Sequence, residues 1–198
     1  MPRKNKTRYA ILGMLNYMPM TGYDMKKMSD SSISHFWNEN YGNIYPVLKK
    51  LEKEKLVSMI REDGNGTPAR KVYTITDEGR TVFQHWLANP PDPEILRNEL
   101  LLQVFFGQWT NPEIIMEKIR DEDRRCRNII TELEGIMNHL ESGKSLDTAS
   151  EELRPLLVSG TPYWKHTVTF GLHYYRGIRE WCSETLKSTE KIIKGNKT

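Results

Sequence analysis

The chain has 198 residues and a formal net charge of +3, with 28% charged and 37% hydrophobic residues. That is enough for one sizeable domain or two small ones, and the longest apolar run near the start, Ala10 to Met18, is too short to span a bilayer and is broken by Asn16. Two cysteines, Cys126 and Cys182, without a CxxC pattern argue against a disulfide framework and for a reducing, cytoplasmic setting; the basic opening MPRKNKTRY is not followed by the apolar core of a signal peptide.

Tyr9, Ile11, Leu12 and Leu15 predict a first helix from about Lys6 to Tyr17. PMTG, Pro19 to Gly22, is a turn, and Thr21 with Asp24 three residues later is the capping arrangement for a second helix reaching about Ser34. GNIYPVLKKLEKEKLV, Gly42 to Val57, reads as a third helix with its N-cap at Gly42 or Asn43. Pro46 then falls in the first turn, where its missing N–H has no intrahelical partner to lose. At 100° per residue, Ile44, Val47, Leu48 and Leu51 share one face; Pro46, Lys49, Lys50 and Lys53 lie opposite, with Tyr45 on the flank. Two strands follow, Val57 to Glu62 and Ala69 to Thr76, joined by the turn-forming DGNGTP. Thr76 is the expected N-cap of a fourth helix with Val82, Phe83, Trp86 and Leu87 on its apolar side.

NPPDPE, Asn89 to Glu94, breaks the chain into candidate domains at 1–90 and 91–198. The charge divides with it: the first 90 residues hold fourteen Lys and Arg against nine Asp and Glu, and the rest fifteen against seventeen. A basic first part is what contact with a polyanion requires, although uneven surface charge alone would look similar.

The second part is helical. Thr110 with Glu113 reads as a capping box, Pro112 as a first-turn proline and Gly143 as the stop of one long helix. Along it Ile115, Ile119, Glu122, Cys126, Ile129, Leu133, Ile136 and Leu140 form a coiled-coil-like seam, weakened at Glu122. A second long helix is expected from Pro162 to about Ile193, with Trp164, Val168, Leu172, Tyr175 and Ile178 in a stripe and with Gly171 and Gly177 permitting close approach of a neighbour. The seams would pair either with a second copy of the chain or within one chain.

Little in the sequence is catalytic. His35, His85, His139, His166 and His173 form no HxxxH or HExxH pattern, GNG at 64–66 is a turn and not a phosphate loop, and no nucleophile signature occurs, so neither enzyme activity, a metal nor a cofactor is expected. Of the cysteines, Cys126 beside Arg124, Arg125 and Arg127 is the better candidate for a reactive thiol, against the blander reading of two buried, inert ones.

Three helices, the third basic, followed by a two-stranded ribbon with Arg70 and Lys71 near it, are in the order of a winged helix-turn-helix. ILGMLNYMPMTGYDM, FWNENYGNIYPVLKKLEKEKLV and RKVYTITDEG together resemble the PadR family of bacterial transcriptional regulators. The likeness continues through WLANPP and RNELLLQVFF, and YWKHTVTFGLHYYRGIREWC resembles the last helix of the longer subfamily, whose C-terminal half is shared with certain virulence-gene activators. The resemblance implies a mainly α protein, a winged helix-turn-helix followed by a helical dimerisation domain with long antiparallel helices. It implies a homodimer on a pseudo-palindromic operator in double-stranded DNA, usually a repressor. Carried over by position, Asn43, Tyr45 and Lys49, with Lys50 and Lys53 on the same helix, would face DNA; Arg70 and Lys71 would sit at the wing, and Thr21 and Tyr23 would touch phosphate. Many relatives have glycine where Lys55 stands, which puts the course of that helix end in question. A small aromatic or phenolic effector, held by Trp109, Trp164 and Tyr175 in the C-terminal half, is a further expectation. The alternative readings are a winged-helix protein-interaction module and an activator acting with a partner protein.

Overall fold

The computed structural model describes residues 6–37, 44–64, 67–93 and 95–195. The chain separates into two units, Met1–Asp92 and Pro93–Thr198.

In the first unit α1 (Thr7–Leu15) buries Ile11, Leu12, Met14 and Leu15 and is two residues shorter at its C-terminal end than its sequence pattern predicts. There Asn16 turns back, its side-chain amide donating to the Leu12 carbonyl at 2.8 Å. PMTG is more than a turn: Met20–Thr21 is a short strand, β1. It leads into α2 (Gly22–Ser32), which opens on the expected capping box. α3 (Ile44–Lys53) follows with the predicted Ile44, Val47, Leu48 and Leu51 buried. β2 (Val57–Gly64) and β3 (Thr67–Ile75) form an antiparallel pair, with Met59 opposite Tyr73 and Arg61 opposite Lys71. β1 adds to the free edge of β3, Met20 opposite Tyr73, so the sheet has three strands in the order β1-β3-β2 and not the two expected. A two-residue strand carries no alternation for a pattern to reveal. α4 (Asp77–Ala88) starts at Thr76, whose hydroxyl accepts from the Gly79 N–H and donates to the Lys55 carbonyl at 2.8 Å. Trp86 of α4 stacks on Tyr9 of α1, ring centroids 4.6 Å apart. One core joins the helices to the inner face of the sheet, from Ile11 and Leu48 to Tyr73 and Ile75.

The helix end at Lys55 keeps the backbone course that glycine would give. Lys55 has φ 60. Its N–H donates to the Glu52 carbonyl at 3.0 Å, and the Leu56 N–H to the Leu51 carbonyl at 2.9 Å. That is a Schellman closure, with buried Leu56 against buried Leu51.

The second unit begins with α5 (Glu99–Phe105) and a 3-10 turn at Gly107–Trp109. α6 (Pro112–Ser142) is the long helix expected. Its N-cap is Asn111, which accepts from the Glu113 N–H at 2.9 Å, and not Thr110: with Pro112 fixed in the first turn, the side chain next to it is the one in reach of an orphan donor. Gly143, φ 67, ends α6 in the left-handed conformation. After the short α7 (Lys144–Asp147), α8 runs from Arg154 to Gly195. It starts eight residues before Pro162, which lies inside the helix and not at its start. Interior proline costs a helix about 3 kcal/mol, and the apolar seam that α8 lays on α6 offsets this.

α6 and α8 are antiparallel. Ile115 and Ile119 meet Cys182 and Ile178, while Ile130 and Leu133 meet Val168 and Leu172. Arg179 Nε reaches Asp123 at 2.8 Å and Arg176 reaches Glu134 at 2.8 Å. The predicted seam is thus used within one chain. Gly177 lies with open space around it and permits no close approach here.

Candidate nucleic-acid interface

The exposed side of the first unit gathers most of the predicted residues. The buried stripe of α3 turns Tyr45, Pro46, Lys49, Lys50 and Lys53 outward, with Tyr45 60% exposed. Lys49 and Lys53 have no carboxylate partner among the described residues, and Lys50 Nζ stands 4.0 Å from Glu54, which is also held by Arg8 at 2.7 Å. The unpaired ammonium groups of Lys49 and Lys53 suit phosphate oxygens. Asn43 lies outside the described residues.

Tyr45 is positioned by α2. An ideal Cβ built at Gly22 would sit 2.7 Å from Tyr45 Cε1 and 2.9 Å from Cζ. Only glycine at the start of α2 lets the ring lie against that helix, and this fixes the direction of the phenol at the surface. Sequence reasoning missed this contact; the TGY triplet was its one signal.

Thr21 is already engaged. Its hydroxyl accepts from the Asp24 N–H at 3.2 Å and donates to Asp24 Oδ2 at 2.7 Å. Those bonds from Thr21, side chain first and backbone second, hold the Asp24 carboxyl below its ordinary value, with Arg70 and Lys27 adding attraction. Thr21 therefore organises the N-terminus of α2, while Tyr23, one turn-step on, is exposed. Arg70 is near enough to Asp24 to act on its charge. Lys71 projects from the other face of β3, beside Arg61 on β2, because successive strand residues alternate. The two wing cations thus point to different sides. The motif reading left out two further cations, Lys27, which with Arg70 acts on Asp24, and Arg61, beside Lys71.

The three residues expected to hold an effector do not meet within the chain. Trp109, 81% exposed, follows α5 near the start of α6. Trp164 lies against the opposite end of α6, by Leu140 and Gly143. Tyr175 sits between them along α8, packed on α6 with the Arg125 guanidinium 5.8 Å over its ring. Ends of a 31-residue helix are about 45 Å apart.

The reactive-thiol candidate does not keep its cations. Arg124, Arg125 and Arg127 pair with Asp121, Glu122 and Asp123. Burial first, and then Glu122, pushes the Cys126 thiol up to about 12; burial with Asp123 and Glu122 pushes Cys182 up to about 11. Both side chains are buried. No group of three or more His, Cys, Asp and Glu suited to a metal, and no helix long and apolar enough to cross a membrane, occurs among the described residues.

Two families match. Residues 11–85 match the transcriptional regulator PadR-like family, and residues 96–190 match the virulence activator alpha C-terminal family. The negative transcriptional regulator PadR of Bacillus subtilis is 30% identical over 130 residues, 65% of this chain and 71% of that protein. The structure of that PadR in complex with operator DNA superposes with a TM-score of 0.75 at 24% identity, covering 94% of this chain and 99% of the other; PadR has also been solved with p-coumaric acid. A PadR-like regulator from Bacillus cereus gives a TM-score of 0.71 at 26% identity over 95% and 98% of the two chains. The Vibrio cholerae virulence activator AphA gives 0.70 at 20% over 93% and 98%.

Proposed function

Because this chain belongs to the PadR-like family of transcriptional regulators, we propose that it binds a pseudo-palindromic operator as a homodimer, in the cytoplasm, and represses the gene beside it. The carrying observation is the outer face of α3, where Tyr45 is braced on Gly22 and Lys49 and Lys53 have no partner carboxylate among the described residues. In this reading two α3 helices enter successive major grooves about 34 Å apart. Tyr45 and Asn43 contact base edges, Lys49, Lys50 and Lys53 contact phosphates, and Tyr23, Arg70 and Lys71 touch the backbone. Thr21 contributes by capping α2.

Exposed apolar surface in the second unit supports the dimer. Leu156, Tyr163, Phe170 and Tyr174 are exposed along α8 at spacings of seven and four, a second coiled-coil stripe beside the one facing α6. Phe170 and Tyr174 stack at 6.1 Å. Leu102 and Phe105 of α5, and Phe106 just after it, are exposed too. A small aromatic effector that releases the operator completes the proposal, in keeping with the p-coumaric acid complex of the Bacillus subtilis relative. The match of residues 96–190 to virulence activators favours, as the second reading, an activator acting with a partner protein.

The test is an anisotropy titration against DNA from the protein's own upstream region at several salt concentrations. Tight, competitor-resistant binding that weakens steeply with salt is expected. Replacing Lys49 and Lys53 by alanine should flatten the log–log slope by roughly 3–4 for two protomers, about 0.9 per lost phosphate contact. An unchanged slope would remove α3 from the interface.

A further inference from the structure

A cavity of about 240 Å³ lies where the end of α6, α7 and the first turns of α8 converge. Its walls include Leu140, Leu146, Leu157 and the indole of Trp164. Polar atoms are few: His139 Nε2 and Ser145 Oγ stand 2.6 Å apart, and the Thr161 hydroxyl donates to the Leu157 carbonyl at 2.7 Å, leaving its oxygen able to accept. Among the described residues no Lys, Arg, Asp or Glu lines it.

Two local rules of helix chemistry are broken beside this cavity. Gly160 is interior to α8, where glycine costs about 1 kcal/mol relative to alanine. It also makes the Trp164 wall: an ideal Cβ there would lie 2.6 Å from Trp164 Cζ2. Pro162, two residues on, has no N–H for the Val158 carbonyl four residues back. Val158 and Pro162 both line the cavity. Departures from local consistency gather at functional sites, and both departures here shape one concavity.

We propose that this cavity binds a small neutral aromatic molecule, one or two fused rings with a single hydroxyl or ring N–H. The ring stacks on Trp164, its donor meets the Val158 carbonyl or the His139–Ser145 pair, and the absence of a lining cation selects against carboxylates. The volume, below the roughly 300–1,000 Å³ of drug-sized sites, limits the ligand to that size. Its role as an effector rests on the function proposed above; the binding itself does not.

The experiment is calorimetry of the full chain with phenol, indole and benzoate, repeated on Val158→Phe and Gly160→Ala. Val158 is exposed enough to accept a larger side chain without disturbing the core, and circular dichroism checks both variants. Saturable binding of phenol or indole, weakened at least tenfold in both variants, with benzoate at least tenfold weaker than phenol, is expected. No binding up to the solubility limit, binding unaffected by both variants, or equal affinity for benzoate overturns the site. Operator titrations with saturating ligand separate the two readings: if the ligand binds but operator affinity is unchanged, the site stands and the effector reading fails.

Discussion

Lys55 occupies a backbone position that disfavours any side chain with a Cβ. The left-handed conformation costs an L-residue about 1–2 kcal/mol, yet the Schellman bonds and the Leu51–Leu56 contact close the helix as they would around glycine. Lys55→Gly is therefore expected to stabilise the first unit by about 1 kcal/mol, read as a raised urea midpoint with the slope unchanged; a lowered midpoint would mean that the lysine side chain makes a compensating contact. Gly22 carries the opposite expectation. Gly22→Ala drives a methyl into the Tyr45 ring, so operator affinity should fall severalfold while thermal stability changes little. Equal affinity would mean that the direction of the phenol does not matter to binding. Lys55 was visible in the sequence as an oddity, whereas the Gly22–Tyr45 brace was not, because it links residues 23 apart whose neighbours predict two separate helices.

At the scale of elements, strong periodicity was readable and its absence was not. α3 follows from four apolar residues at helical spacing and a first-turn proline, and α6 from a seam of alternating fours and threes. β1 is too short to carry a period. The start of α8 was misplaced because proline usually marks a boundary, and only the packing of α8 on α6 shows that it does not do so here. That packing has a pH signature. Burial opposes the Asp123 charge, but hydrogen bonds from Arg179 and Arg127 outweigh it and hold the carboxyl below its ordinary 3.8. The Arg125 hydrogen bond holds Glu122 below its ordinary 4.5. A carboxyl depressed in the folded state contributes stability above its unfolded pKa and loses it as pH falls towards the folded one. The second unit should therefore keep its acidic ion-pair contribution above pH 4.5 and lose it progressively below. Thermal melts followed by helicity should show this, with a shallower decline in Asp123→Asn. An identical acid profile in that variant would assign the loss to other groups.

For the whole molecule, the two units divide the work proposed above: one face of α3 for DNA, one stripe of α8 for a second copy. Phe170→Glu places a charge in that stripe without touching α6 and should convert a dimer to a monomer by light scattering, with a large loss of operator affinity; an unaltered dimer would move the interface to α5. NPPDPE lies where the chain separates into its two compact units, but the sequence left open whether the long seams close within one chain, because an antiparallel pair and a dimer share the same heptad signature. The buried cysteines make the second unit separately observable. Both thiols belong to it, none to the first unit, and both are 0% exposed and held protonated. An alkylating reagent can therefore reach them only when α6 and α8 part, so the rate of thiol capture is a clock for the opening of the helical unit alone, one that DNA or a second copy of the chain should slow only by holding those helices together.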